Sequence, residues 1–438
     1  MSPQLRLIPL LLAAFGAPAW ATPGLHEVLE LARANDPQLA SAQAARRAGQ
    51  EALPQARSAL LPQMSLSAAI NRTQRELETA SGERTQYYTN KQGSLSLRQV
   101  LYDRQKFMAY DQAEARVALA ELEWSKAEQD VILRVAEAYF NLLFAEDSVK
   151  LAEAKKSAIT EQKAQAEQMY KGGVGTVTNI QEAQARFDLA VAEELEARNA
   201  LKNRRQALFK LTRQYFESLA PIGEPLALDP PEPNALDPWR DAAREGALEV
   251  LLADKGAQVA KLDVERARSQ HLPVLEAVAS TQWQSNTDLG YDKDHLSLVG
   301  IQLSAPLLAG GRIDSVTRET QARWEQALEE LRLAQVESEQ RAVEAFHGVN
   351  DSIARVRALE QAVRSSEVAL DAARIGLEVG YRTSVDVLNA QQQLFAARRD
   401  LQQQRYAYII QRLQLKAAVG DLHMEDVIAV DQWLKKTL

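Results

Sequence analysis

The sequence predicts a mainly α fold with a small β part, built from two copies of one unit: a strand pair followed by a long antiparallel coiled-coil helical hairpin. Three observations carry this. A shift of 207 residues, the separation of Gly173 and Gly380, superposes heptad positions one for one. Within each copy apolar residues recur with a period of 3.5 over a long stretch that ends at glycine. Ahead of each stretch stand two runs in which apolar and polar residues alternate.

The chain has 438 residues, of which only 6% are aromatic, so the helices must be long and the cores thin. Residues 1–21 carry Arg6, an apolar run from Leu7 to Phe15, and Ala19-Trp20-Ala21, the pattern of a secretory signal peptide with Thr22 as the mature start. Pro9 and Pro18 fit a cleaved leader better than a buried helix. Removing Arg6 takes the formal charge from −8 to −9, an acidic balance that argues against nucleic acid as a partner. With no cysteine there are no disulfides and no lipid-acceptor thiol. No run of ~20 apolar residues follows the leader, so a membrane could be crossed only by strands.

The first repeat, 22–220, opens with a helix that ends in ARSALLPQMSL, Ala56 to Leu66, where Leu61-Pro62 stops it. Met64, Leu66, Ala68 and Ile70 then alternate with Ser65, Ser67 and Ala69 as a strand. A polar loop is expected over Glu76 to Lys91, and Leu95 and Leu97 mark a second strand. Each run approaches the ~9 to 11 residues that a tilted strand needs to cross a bilayer. From Arg104 to Tyr170 there is neither proline nor glycine, which allows a helix of ~65 residues, ~100 Å long. Its seam runs through Ala113, Val117, Ala120, Trp124 and onward to Ala152, with small residues at alternate positions that let backbones approach. Gly172-Gly173 ends it, and a return helix comes next with the seam Ala183, Phe187, Ala190, Ala197, Leu201, Leu208.

A connector, 221–238, holds six prolines and is expected to be neither helix nor central strand. The second repeat, 239–420, repeats the order. ARSQHLPVLEA, Ala267 to Ala277, leads into Leu275, Ala277, Ala279, Thr281 and Trp283. After a loop from Ser285 to Asp294 come Leu296 and Leu298, then a parity shift before Ile301 and Leu303. A seam from Trp324 to Leu377 ends at Gly380, and a return helix carries Ala390, Leu394, Ala397, Tyr408 and Leu415. The tail, 421–438, lies outside the repeat and receives no functional account.

Four strands cannot close a barrel, and open edges are forbidden in lipid, so a strand-based membrane reading requires oligomers. Two protomers would supply eight strands and three would supply twelve. Ordinary surface hairpins are the competing reading of the strands. No catalytic constellation, metal-ligand spacing or cofactor motif is present. His26, His271, His295, His347 and His423 are scattered, and the glycines from Gly172 to Gly175 come after a helix and lack the Lys-Ser/Thr of a phosphate loop. A non-enzymatic conduit and a soluble periplasmic coiled-coil adaptor or scaffold remain as alternatives.

The stretch EVGYRTSVDVLNAQQQLFAARRDLQQQRYAYIIQRLQLKAAVGDL, Glu378 to Leu422, together with APLLAGGR, Ala305 to Arg312, and QVLYDRQ, Gln99 to Gln105, resembles the TolC-type outer-membrane channel family. The resemblance covers essentially the whole mature chain, including its duplication. It implies a homotrimer whose twelve strands form a barrel in outer-membrane lipid and whose helices form an α-barrel through the periplasm. It also implies a passive exit duct without a cofactor, serving type I protein secretion or small-molecule efflux. Its partners would be a periplasmic adaptor, or membrane-fusion protein, and an inner-membrane ABC or proton-driven transporter.

In such channels the hairpin turns pinch the periplasmic end shut through polar links centred on an Arg. Carried over, that Arg is Arg382, an Asp ring is Asp386, and Thr178 is the residue that accepts from the Arg. Leu377 stands where a Tyr is expected, Asn179 where an Asp would pair with the Arg, and Asn389 where a second Asp ring would stand. Neither Leu nor Asn supplies a charge, so the latch should rest on hydrogen bonds rather than salt bridges. Taken alone, Arg382 and Asp386 are four apart and would read as an ordinary surface ion pair.

Overall fold

The computed structural model describes residues 22–79, 82–223, 225–286 and 291–435; the leader, residues 1–21, and Lys436 lie outside them. Helices α1 (Leu25–Asn35), α2 (Pro37–Gln50) and α3 (Ala52–Ser58) precede strands β1 (Gln63–Thr79) and β2 (Gly82–Tyr102), then helices α4 (Arg104–Lys171) and α5 (Val177–Thr212). The order recurs as α6 (Leu236–Gly246), α7 (Leu248–Arg268), β3 (Val274–Asn286), β4 (Tyr291–Ser304), α8 (Arg312–Glu378) and α9 (Ser384–Ala418), closed by α10 (Met424–Asp431). The opening helix is thus broken into pieces. Asp36 accepts from the Gln38 backbone N–H and Pro37 occupies the first helical position, so the chain must restart there.

The four strands form one antiparallel sheet in the order β1-β2-β3-β4. Its register sorts the side chains onto two unlike faces. Met64, Leu66 and Ile70 share a face with Leu95, Leu97, Ala279, Trp283, Val299 and Ile301, and this face is largely exposed. The other face carries Ser65, Ser67, Ser94, Ser96, Ser280 and Gln282, with hydroxyls paired across the strands at 2.7 Å (Ser65 and Ser96) and 2.8 Å (Ser67 and Ser94). An apolar face backed by a polar one is the arrangement of a lipid-embedded barrel wall. Gly93 lies opposite Trp283, whose ring occupies the space a β-carbon would take.

Two expectations about the strands need correction. The segment expected as a loop over Glu76 to Lys91 is strand up to Thr79 and from Gly82, since β1 and β2 run 17 and 21 residues and Glu78 still pairs with Glu83, and only 80–81 lie outside the described residues. Polar composition misled because both faces of a ribbon beyond the membrane are wetted, so no apolar alternation is required there. Likewise β3 continues to Asn286 and β4 begins at Tyr291, so both ends of the loop expected over Ser285 to Asp294 are strand, and its middle, 287–290, lies outside the described residues. The parity shift in β4 has no bulge behind it. Leu298 pairs with Ser280 and Ile301 with Ala277 in unbroken register, so Leu296 and Leu298 lie on the serine face.

Helices α4 and α8 contain 68 and 67 residues, each ~100 Å long. The return helices α5 and α9 contain 36 and 35 residues, so each covers only about half of its partner. The other half of α4 is faced by α2, α3 and α7, and that of α8 by α6 and α7. Seam residues Ala113, Ala120, Val131, Val135, Leu142 and Ala145 are buried in α4, as are Ala342, Val349, Ser352 and Val356 in α8. Small seam residues serve close approach: a β-carbon on Gly49 of α2 would stand 2.5 Å from the Ala120 β-carbon.

The largest core lies where the return helices end. Tyr139 and Phe140 of α4 meet Tyr406, Tyr408 and Ile409 of α9, joined by Leu25 and Leu29 of α1 and by Val427 and Val430 of α10. The connector is drawn into this core. Ile222 bridges Leu434, Gly223 donates to the Trp433 carbonyl at 2.7 Å, and Lys435 donates to the Pro221 carbonyl at 2.8 Å. The tail is therefore a strap that ties down the connector, with Trp433 stacked on Tyr408. The connector's last residues are helical after all, because α6 starts at Leu236 and Pro238 sits in its first turn, where a missing N–H costs nothing. No helix among the described residues is long and apolar enough to cross a membrane.

Candidate functional site at the hairpin turns

The two hairpin turns have the same backbone hydrogen-bond pattern, 207 residues apart, as for Gly173 and Gly380. At the end of α4, Gly173 donates to the Tyr170 carbonyl, and Val174 and Gly175 both donate to the Met169 carbonyl at 3.0 Å. At the end of α8, Gly380 donates to the Leu377 carbonyl, and Tyr381 and Arg382 both donate to the Gly376 carbonyl at 2.8 and 3.0 Å. Such closure needs a left-handed residue, supplied by Gly173 at φ 79° and Gly380 at φ 81°. Gly172, with φ −77°, is an ordinary helical residue and is not required to be glycine.

A threonine restarts each helix. Thr176 accepts from the Asn179 N–H at the start of α5, and Thr383 accepts from the Asp386 N–H at the start of α9. At the second turn the Asp386 carboxylate also accepts from the Thr383 N–H and hydroxyl, both at 2.9 Å, completing a capping box. Those hydrogen bonds hold the Asp386 carboxyl below its ordinary range, with the Arg382 charge a lesser cause. Asn179, the counterpart of Asp386 in the first turn, does not close the box.

Arg382, in the exposed turn after α8, comes within 4.0 Å of Asp386 in the first turn of α9. Arg382 makes no hydrogen bond or ion pair to Thr178 or Asn179 of its own chain among the described residues. Leu377 packs against Leu370, Ala373, Val387 and Leu394, the core of its own hairpin. Asn389 is instead drawn across to the other hairpin, where its side-chain oxygen accepts from Arg186 of α5 at 2.6 Å. Sequence reasoning missed Thr176, Thr383 and Arg186. The Thr-x-x-Asn and Thr-x-x-Asp spacings were a legible capping signal, whereas nothing local marks Arg186.

The outer membrane efflux protein family matches this chain twice, at residues 28–212 and 239–421. The chain is 33% identical over 446 residues to outer membrane protein TolC of Vibrio cholerae, covering 98% of this chain and 99% of that one. It is 32% identical over 412 residues to the alkaline protease secretion protein AprF of Pseudomonas aeruginosa, covering 92% and 86%. Its fold resembles the crystal structure of the outer membrane protein VceC from Vibrio cholerae with a TM-score of 0.76 at 21% identity, covering 90% and 96% of the two chains. The protein is an outer-membrane exit duct for secretion or efflux that extends into the periplasm. It is not an enzyme, and a soluble scaffold is not favoured. The chain belongs to the outer membrane efflux protein family.

Proposed function

We propose that three copies of this chain close a twelve-stranded barrel and that the duct is gated at the hairpin turns around Gly173 and Gly380. The observation that carries this is the pairing of an open, two-edged sheet at one end of the helices with two capped, glycine-closed turns at the other. In lipid the unpaired edges of β1 and β4 must meet those of another copy, because no water satisfies their backbone groups. Apolar side chains left exposed on α8, among them Leu328, Leu333 and Val336, give neighbouring copies a surface to cover. The relative AprF is named an alkaline protease secretion protein, which supports protein as a cargo; its route would be from an inner-membrane ABC or proton-driven transporter through a periplasmic adaptor. The turns are the natural seat for that adaptor.

In this reading Arg382 and Asp386 ring the closed entrance, and Arg382 reaches Thr178 or Asn179 of an adjacent copy. Leu377 supplies packing where a Tyr would otherwise stand, and Asn389 supplies a neutral hydrogen-bonding group where an Asp charge would stand. The test is electrical: outer-membrane trimers extracted in detergent and inserted in a planar bilayer should conduct weakly, and Arg382→Ala should conduct more. Equal conductance of the two would count against a gate at Arg382.

A further inference from the structure

We infer that Arg186 is a second latch of the entrance, a positioning residue that ties helix α5 of one hairpin to helix α9 of the other. The inference rests on the reading of the turns as the entrance. Arg186 Nη1 donates to Gln392 Oε1 at 2.8 Å and Nη2 donates to Asn389 Oδ1 at 2.6 Å. Asn389 and Gln392 are three apart on α9 and so lie on one face, at the spacing that a planar guanidinium fork can span. A lysine ammonium donates from a single nitrogen and lacks the planar fork that reaches two separated acceptors at once.

The location gives these bonds leverage. Arg186 lies ten residues past the Thr176 cap, ~15 Å from the turn, and the two hairpins converge there. Ile159, Ala190 and Leu388, from α4, α5 and α9, form a small buried apolar cluster with Phe187 beside the fork. Next to the fork, Gln391 is only 3% exposed and has a buried Oε1 without a hydrogen-bond partner. Removing Arg186 would free the Asn389 and Gln392 amides from α5 and open them to water, and water bonds as well to separated helices as to joined ones.

The ion pair at the second turn cannot do the same work, since Arg382 and Asp386 belong to one hairpin and their pairing constrains only that turn. Arg186 instead spans two elements from the two halves of the duplicate. Opening the entrance by moving α5 away from α9 must break both of its bonds, whereas the Arg382 to Asp386 contact can persist through that motion.

Purified trimers of four forms, wild type, Arg186→Ala, Arg186→Lys and Arg382→Ala, would be compared as single channels. Arg186→Ala should raise conductance at least twofold with the heat stability of the trimer unchanged, and Arg186→Lys should fall between it and the wild type. A rise in Arg382→Ala with none in Arg186→Ala would overturn the second latch and leave the entrance reading standing. No rise in either would remove both. Should Arg186→Ala fail to assemble, the paired variant Arg186→Cys with Asn389→Cys decides. Oxidation should hold it at or below wild-type conductance and reductant should open it, whereas identical conductance in both states would refute the latch.

Discussion

Arg382 lies across Gly376: a β-carbon at Gly376 would stand 2.5 Å from the Arg382 Cγ and 3.2 Å from its Cβ. The first turn reverses the pair. Met169 stands where Gly376 does, and Gly175 stands where Arg382 does, with a β-carbon on Gly175 meeting the Tyr170 backbone nitrogen at 2.8 Å and the Met169 Cβ at 3.2 Å. Each turn therefore has room for only one of the two side chains. Gly376→Ala should push Arg382 off the end of α8, a flexible displacement, and raise single-channel conductance toward that of Arg382→Ala. Gly175→Ala meets backbone and should lower thermal stability of the first turn, read by hydrogen exchange over residues 169–180.

The capping box predicts an acid response. The Asp386 carboxyl is held below its ordinary value of 3.8 by the Thr383 N–H and hydroxyl. A depressed folded-state pKa contributes stability that is present above the unfolded value and lost as pH falls through the folded one. The second turn should therefore stay closed at neutral pH and loosen below about pH 4. Hydrogen exchange at the start of α9 should accelerate in that range, and Asp386→Asn should show fast exchange already at pH 7.

Tyr406 of α9 donates to the Asp147 carboxylate of α4 at 2.6 Å, and burial together with the Asp147 charge pushes the Tyr406 hydroxyl pKa up. It thus keeps its proton and acts as a fixed donor between the hairpins. Tyr406→Phe removes a bond to a charged acceptor and should cost about 1.5 kcal/mol, the low end for such bonds because Asp147 keeps partial access to water. The midpoint of denaturant unfolding followed by helical circular dichroism would measure it.

The two faces of the sheet make opposite predictions for one substitution. Leu66 points from the apolar face and Ser67 from the serine face. Leu66→Arg should destabilise the embedded barrel, by up to about 2–4 kcal/mol if its position is at the bilayer midplane. Ser67→Arg should assemble normally and alter only ion selectivity. Heat-modifiable trimer on gels would score both, and normal assembly of Leu66→Arg would contradict a lipid-facing surface.

Much of this architecture is legible in short-range pattern. The seam of Ala113, Ala120, Val131 and Val135 arises from a 3.5 period, because burial of a narrow stripe is a local demand repeated every two turns. The strand alternation at Met64, Leu66, Ala68 and Ile70 is legible for the same reason. It fades at Glu76 to Lys91, where both faces meet water and the backbone ladder alone keeps the ribbon. The loss of pattern there hid a strand extension rather than marking a loop.

The entrance divides along the same line. That the chain turns near Gly173 and Gly380, and that Thr176 and Thr383 can cap the return helices, depends on a few consecutive residues and their backbone angles. The sequence by itself determines these features, together with the duplication and the alternation of the strands, whereas their place in the outer membrane rests on the family resemblance. Only the tertiary structure decides that the tail straps the connector, that Arg382 folds over Gly376, and that Arg186 finds Asn389 and Gln392. Those contacts join residues through side chains whose direction is set by how α4, α5, α8 and α9 pack and by how the chain's end meets its middle, and no local period encodes that packing.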